Sequence, residues 1–185
     1  PLEVYLLPAT ATATATSSAS ATRAAPWSLR VARPAAGVHL SGQRIVVVPA
    51  DNRVSVYKGA GWSDPAPVLV RNRLLDGFAE DGRVQLLSTD DANLQTDLEL
   101  AGNLQAFQSE YLGSGVQVVI RLDALLVRGS DQRIVASKRF EVRQPLSDVQ
   151  VPGVVSGFGQ AGDELTRQVI AWTVEQGRKN LPAKP

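Results

Sequence analysis

The chain has 185 residues, 44% of them hydrophobic, and a formal net charge of +1. That is enough for one buried core, and so near-neutral a balance gives no electrostatic basis for a nucleic-acid partner. With no cysteine and a single histidine, His39, the sequence excludes a disulfide framework, a thiol nucleophile and a cysteine metal site. No apolar run reaches the length of a membrane span, and nothing in the composition points to a cofactor.

Methionine is absent, position 1 included, which predicts a processed product or a trimmed chain, with a segment preceding Pro1. "LEVYLLP" directly after Pro1 reads as strand-like and makes 1–7 an N-terminal strand-like segment. The Ala/Thr/Ser-rich tract that follows, within 8–26, has too little apolar bulk to offset the entropy of ordering it and reads as a spacer. Threonine also favours extended structure, so an Ala/Thr strand at a sheet edge fits the same residues. The remainder divides into one domain, 27–180, and a short tail, 181–185.

Within the domain, "WSLRVA" (27–32) and "QRIVVVP" (43–49) read as strands, the second an unbroken apolar run suited to a doubly covered position. "SVYK" adds a short extended piece. "VYKGAGWSDPAP" (56–67) then puts Tyr57 and Trp62 on either side of a Gly-Ala-Gly loop. Asp64 is a good N-cap and Pro65 suits the first helical position, so a helix is expected to begin here. It carries Val70, Leu74 and Phe78 at i, i+4 spacing and stops at Gly82. Two roles fit Tyr57 and Trp62: a hook that packs the loop onto this helix, or an exposed patch that docks a partner.

"RVQLLS" (83–88) is expected as a strand, followed by a polar loop in which Asp90 and Asp91 read as solvated carboxylates. "TDLELAGNLQAF" (96–107) alternates, sending Leu98, Leu100, Leu104 and Ala106 to one face. "GVQVVIRLDALLVRG" (115–129) and "RIVASKRFEVR" (133–143) flank the tight turn "GSDQ" and read as a hairpin, with Arg121 and Asp123 on its solvent face or in a subunit contact. The "GFGQAG" of Gly157, Gly159 and Gly162 spells a dinucleotide-binding fingerprint, but no second strand can follow it in the residues left. Val151, Val154, Val155, Phe158, Ala161, Leu165, Val169 and Trp172 recur at threes and fours straight through it, which places the motif inside an amphipathic helix. His39 sits in a turn-like approach to a strand with no partner identifiable nearby in sequence. The pattern as a whole predicts an α+β fold: a mostly antiparallel sheet of about five to six strands with two amphipathic helices packed on it.

"YLLP", "RIVVV", "VYKGAGWSDPAPVLVRNRLL", "LQTDLELAGNLQAFQ", "RIVASKRFEV" and "GFGQAGDELTRQVIAW" together resemble the ABC-type transport auxiliary lipoprotein family, which includes the lipoprotein of the paraquat-inducible MCE transport system. The resemblance covers most of the chain; "FGQA" stands where many relatives have Phe-Asn-Gln-Ala. It implies a non-enzymatic periplasmic lipoprotein, anchored to a membrane, usually the outer one, through a lipidated cysteine that lies outside this sequence. Its implied partners are an MCE-domain protein with the associated ABC permease and ATPase; self-assembly and contact with a phospholipid or sterol-like lipid stay open. An extended 8–25 tract would then hold the domain on the order of 50 Å from its anchor. Two other classes remain: a self-contained lipid carrier, which needs an apolar cavity, and an envelope hydrolase, which needs a nucleophile and an oriented base.

Overall fold

The computed structural model describes residues 1–9 and 24–182. In chain order these form β1 (Glu3–Tyr5), β2 (Ser28–Val31), β3 (Ala35–Ala36), β4 (Arg44–Val48), β5 (Ser55–Trp62), α1 (Ala66–Asp81), β6 (Leu86–Thr89), β7 (Leu98–Leu112), β8 (Gly115–Arg128), β9 (Arg133–Pro145) and α2 (Val151–Asn180). A 3-10 turn at Val38–Leu40 leads into β4.

The expected α+β architecture with two helices is present, but the sheet is larger and differently paired than the sequence suggests. Nine strands join in one sheet, in which the order β1-β5-β4-β7-β2-β6 continues from β7 into β8 and β9. The three longest strands do run antiparallel in succession, β7 with β8 and β8 with β9. The other strands are mostly parallel: β1 with β5, β2 with both β6 and β7, and β3 and β4 with β7. Local alternation reveals hairpins, whereas these parallel ladders join short segments far apart in the chain, through crossovers that leave no local signature.

β7 is the axis of the sheet. Leu98, Leu100 and Leu104 are buried as the alternation requires. A bulge between Leu104 and Ala106 then turns Ala106, paired with Arg121, to the opposite face and gives the inward place to Phe107. On β4, Ile45, Val46 and Val47 are buried consecutively, as a doubly covered strand requires.

α2 packs along β8 and β9, and α1 packs on α2 and on β2 and β6. α2 buries Val154, Val155, Phe158, Ala161, Leu165, Val169 and Trp172 on one stripe, with Val151 half-buried beside it. α1 ends where Gly82 adopts the left-handed conformation, φ 78°, and its N–H closes on the Phe78 carbonyl at 3.1 Å.

The 10–23 stretch of the Ala/Thr/Ser tract lies outside the described residues, so neither reading of it is tested. Its neighbours are docked: β1 pairs with β5, and Ala25 donates its N–H to the Arg83 carbonyl at 2.8 Å. The tract therefore joins two sheet strands, and the tether length based on it no longer follows.

Candidate functional site

The segment expected to be an aromatic loop is a strand. β5 runs from Ser55 through the Gly-Ala-Gly to Trp62, bent by Gly59 at φ 74° and by a register break against β4. Its end is fastened on both sides: Trp62 donates its N–H to the Gln43 carbonyl at 2.6 Å, and Ser63 donates to the Tyr5 carbonyl at 2.8 Å. The Trp62 ring is 1% exposed. It meets Phe107 of β7 edge-on at 5.8 Å and Phe158 of α2 at 5.1 Å, while the two phenylalanines lie 4.8 Å apart. Trp62 thus sits in an aromatic trio between sheet and α2 rather than folded over the first turn of α1.

Tyr57 does not join it. The ring is half-buried, and its hydroxyl shares a 2.6 Å hydrogen bond with the fully buried Ser109 Oγ. Burial pushes the Tyr57 phenol above its usual value; the Ser109 hydrogen bond opposes this and nearby Tyr111 adds to it. Asp64 does not cap α1. The cap residue is Pro65, no side chain bonds the free amides, and the exposed Asp64 carboxylate accepts from Ser63 Oγ, at 3.5 Å. Helix 1 begins one residue late for Pro65 to be its first residue and places Pro67 in the first turn instead, where its missing N–H costs nothing. Pro65 lines a shallow groove of ≈ 240 Å³ with Arg33, Ser41, Pro67 and Val68.

Two arginines of α1 do more than their place in a helical run suggests. Arg71 is buried and pairs with Asp90 at 2.9 Å and Asp91 at 3.1 Å, so this acidic pair is bound to a buried cation instead of being merely solvated. The signal was present: Arg71 stands three residues before Leu74 and seven before Phe78, on the apolar stripe. Arg73 donates to the Leu7 carbonyl at 3.0 Å and pairs with Asp163 of α2 at 3.3 Å. It holds the N-terminal segment against the helix pair.

The three glycines of "GFGQAG" lie inside α2, as their periodicity requires, and Gly159 packs against Pro8. His39 is exposed, and the hydroxyl of the neighbouring Ser41 donates to the Gly37 carbonyl. Arg121 pairs with Glu141, and Asp123 with Arg139 at 2.6 Å, across the β8–β9 ladder. Among the described residues no cluster of three or more His, Asp or Glu side chains is placed to hold a metal, and no helix is long and apolar enough to cross a membrane. A second surface groove of ≈ 390 Å³ lies between Leu146–Asp148 and the first turns of α2, with Ser156 and Gln160 on its far wall.

The family model described as ABC-type transport auxiliary lipoprotein component matches residues 5–170. The chain belongs to that family. Protein XCC0632 from Xanthomonas campestris, a DUF330 protein of known crystal structure, is 29% identical, with a TM-score of 0.83 over 96% of this chain and 97% of that one. An uncharacterized protein of Bradyrhizobium diazoefficiens, bll6063, is 30% identical over 148 residues, 80% of this chain but 39% of the relative, so the chain spans less than half of that protein. The hypothetical protein CT253 from Chlamydia trachomatis, 6% identical with a TM-score of 0.53 over 81% of this chain and 96% of that one, shares the fold alone.

Proposed function

We propose that this auxiliary lipoprotein is a non-enzymatic component of an MCE-type ABC system for lipid transport between membranes. It sits in the periplasm, held by an N-terminal lipid to the outer membrane, and docks on the transporter or assists lipid passage at that membrane. Family membership supports the coarser part of this reading, an accessory of an ABC-type transport system that is attached as a lipoprotein.

The observation that favours docking over cargo carriage is the packing of Trp62, Phe107 and Phe158. A self-contained carrier of this size would lodge an acyl chain between its sheet and its long helix, and these three rings occupy that space. The two surface grooves offer no substitute: Ser147, Asp148, Ser156 and Gln160 contribute much of the wall of the larger, and the smaller, at ≈ 240 Å³, falls short of an ordinary ligand pocket. The hydrolase reading loses support because His39 is exposed and the hydroxyl of Ser41, two residues on in sequence, donates to the Gly37 carbonyl.

Co-expression with the MCE-domain protein of the same genome tests the proposal. The expected result is co-purification of the two proteins, with no stoichiometric lipid in the separately purified chain by mass spectrometry. Stoichiometric phospholipid in the chain alone would favour the carrier, and failure to co-purify would sink the docking role.

A further inference from the structure

Strand directions bring several chain segments to one end of the sheet. β1 runs parallel to β5, β5 antiparallel to β4, and β4 parallel to β7, so the start of β5 lies with the ends of β4 and β7, and β1, paired with the last three residues of β5, runs away from that end. The Gly113–Ser114 turn joins β7 to β8 there, and Leu146, leaving β9, donates its N–H to the Val116 carbonyl at the same end. Exposed apolar side chains gather on this rim: Tyr111 (47%) and Leu112 (54%) at the hairpin tip, Val54 and Val56 at the start of β5, and Val149 before α2. Two of its carboxylates are engaged, Glu110 with Gln108 and Arg143, and Asp148 with the Gln150 N–H, while Asp51, Arg53 and Lys58 are exposed beside it.

We propose that this rim is a membrane-contact surface, resting on the bilayer that holds the lipid anchor, with Tyr111 and Leu112 entering the boundary between headgroups and acyl chains. The inference rests on the anchoring read above, in which the lipid lies N-terminal to β1. The direction of β1 then brings the anchored chain into the sheet from the rim end. A tether there holds the rim at high effective concentration next to lipid. A tyrosine flanked by aliphatic side chains suits the interface, where its ring is buried and its hydroxyl stays hydrated. Apolar side chains gathered at a loop end have a reason to be exposed if they face lipid.

The absence of cysteine makes the test direct. Leu112→Cys and Leu94→Cys each accept one environment-sensitive fluorophore; Leu94 lies in the loop before β7, at the opposite end of the sheet. Each labelled chain, checked to melt as the parent does, is held through an N-terminal histidine tag on vesicles of phosphatidylethanolamine, phosphatidylglycerol and a nickel-chelating lipid. The Leu112 label is expected to brighten and shift to the blue on the vesicles while the Leu94 label does not. An unchanged Leu112 label, or equal shifts at both ends, would overturn the proposal. So would a Leu112 response that needs only a higher protein concentration and no vesicles, which would assign the rim to a second copy. Val149→Cys reports on the same rim from a different loop should Leu112→Cys fold poorly. The assay supplies its own anchor, so a silent rim leaves the lipoprotein reading standing, whereas a precursor without a lipidated cysteine would sink that reading and leave the vesicle result intact.

Discussion

Gly159 lies directly beneath Pro8: a Cβ built on Gly159 would stand 2.5 Å from the Pro8 carbonyl oxygen and 2.7 Å from the proline ring. On helix propensity alone, alanine at an interior helical glycine stabilises. Here the N-terminal segment crosses α2 on that bare patch, and the methyl group has nowhere to go. Gly159→Ala is therefore expected to destabilise by about 1 to 3 kcal/mol, as overpacking does. Gly162→Ala is the control, because its Cβ would meet Leu7 at an ordinary 3.7 Å, and it should be neutral or stabilising by about 0.4 to 1 kcal/mol. Urea unfolding of both variants decides; a Gly159→Ala chain as stable as the parent would show that the segment is not seated there in solution.

Trp62→Ala should cost about 3 to 5 kcal/mol, since it empties a site walled by Phe107 and Phe158. The measurement is a thermal or denaturant melt beside a pull-down with the MCE-domain protein. A patch that docks a partner requires an unchanged melt with lost association. With the ring 1% exposed, the expected order is the reverse, in which the fold weakens first and association is lost only where the chain unfolds.

The elements written in local pattern were legible: both helices, the β7–β8–β9 hairpins and the burial of the glycine fingerprint inside α2. What escaped needed distant partners. The Gly-Ala-Gly reads as a loop in isolation and becomes strand because Gln43 and Tyr5 bond the end of β5 from its two sides. Asp64 has the chemistry of a cap, but the helix begins after Pro65 and leaves the carboxylate outside it. Trp62 stands out in sequence for its near neighbours, whereas its ring contacts come from Phe107 and Phe158, each more than forty residues away. Ala106 changed faces because a bulge is a one-residue event that an alternating pattern cannot announce.

Arg71 and Asp90 link α1 to the loop before β7, and the pair carries a pH signature. Burial alone would push the Asp90 carboxyl up; the Arg71 hydrogen bond and backbone N–H groups at Arg33 and Asp90 outweigh it and hold the pKa below the ordinary 3.8. A carboxyl depressed in the folded state adds stability that is fully present above its unfolded pKa, about 3.9, and is lost as pH falls through the folded value. Asp90→Asn should thus be less stable than the parent at pH 7, with the gap closing below about pH 4. Chemical denaturation at several pH values reads this; a gap constant down to pH 2.5 or so would mean that the carboxylate charge contributes nothing.

Arg73 makes the last prediction, because it joins three elements that no local signal connects. Its guanidinium donates to the Leu7 carbonyl and pairs with Asp163, so one side chain of α1 holds both the N-terminal segment and α2. β1 is only three residues long and pairs on one side, with β5. Beyond this short ladder and the Ser63 hydrogen bond, such an edge strand is retained by Tyr5, Leu7, the seat of Pro8 on Gly159 and this clamp. Arg73→Met keeps much of the apolar stem and removes both polar contacts. A hydrogen bond from a charged group contributes about 1.5 to 3 kcal/mol, so local opening of the segment should rise roughly tenfold or more. Hydrogen exchange is the readout: amides across residues 2–7 and the Ser63 amide, which donates to the Tyr5 carbonyl, should exchange faster, while those in the middle of α2 around Leu165 and Val169 keep their protection. Equal acceleration in both regions would mean that Arg73 supports the helix pair as a whole, and no acceleration at the N-terminal segment would remove it as the clamp.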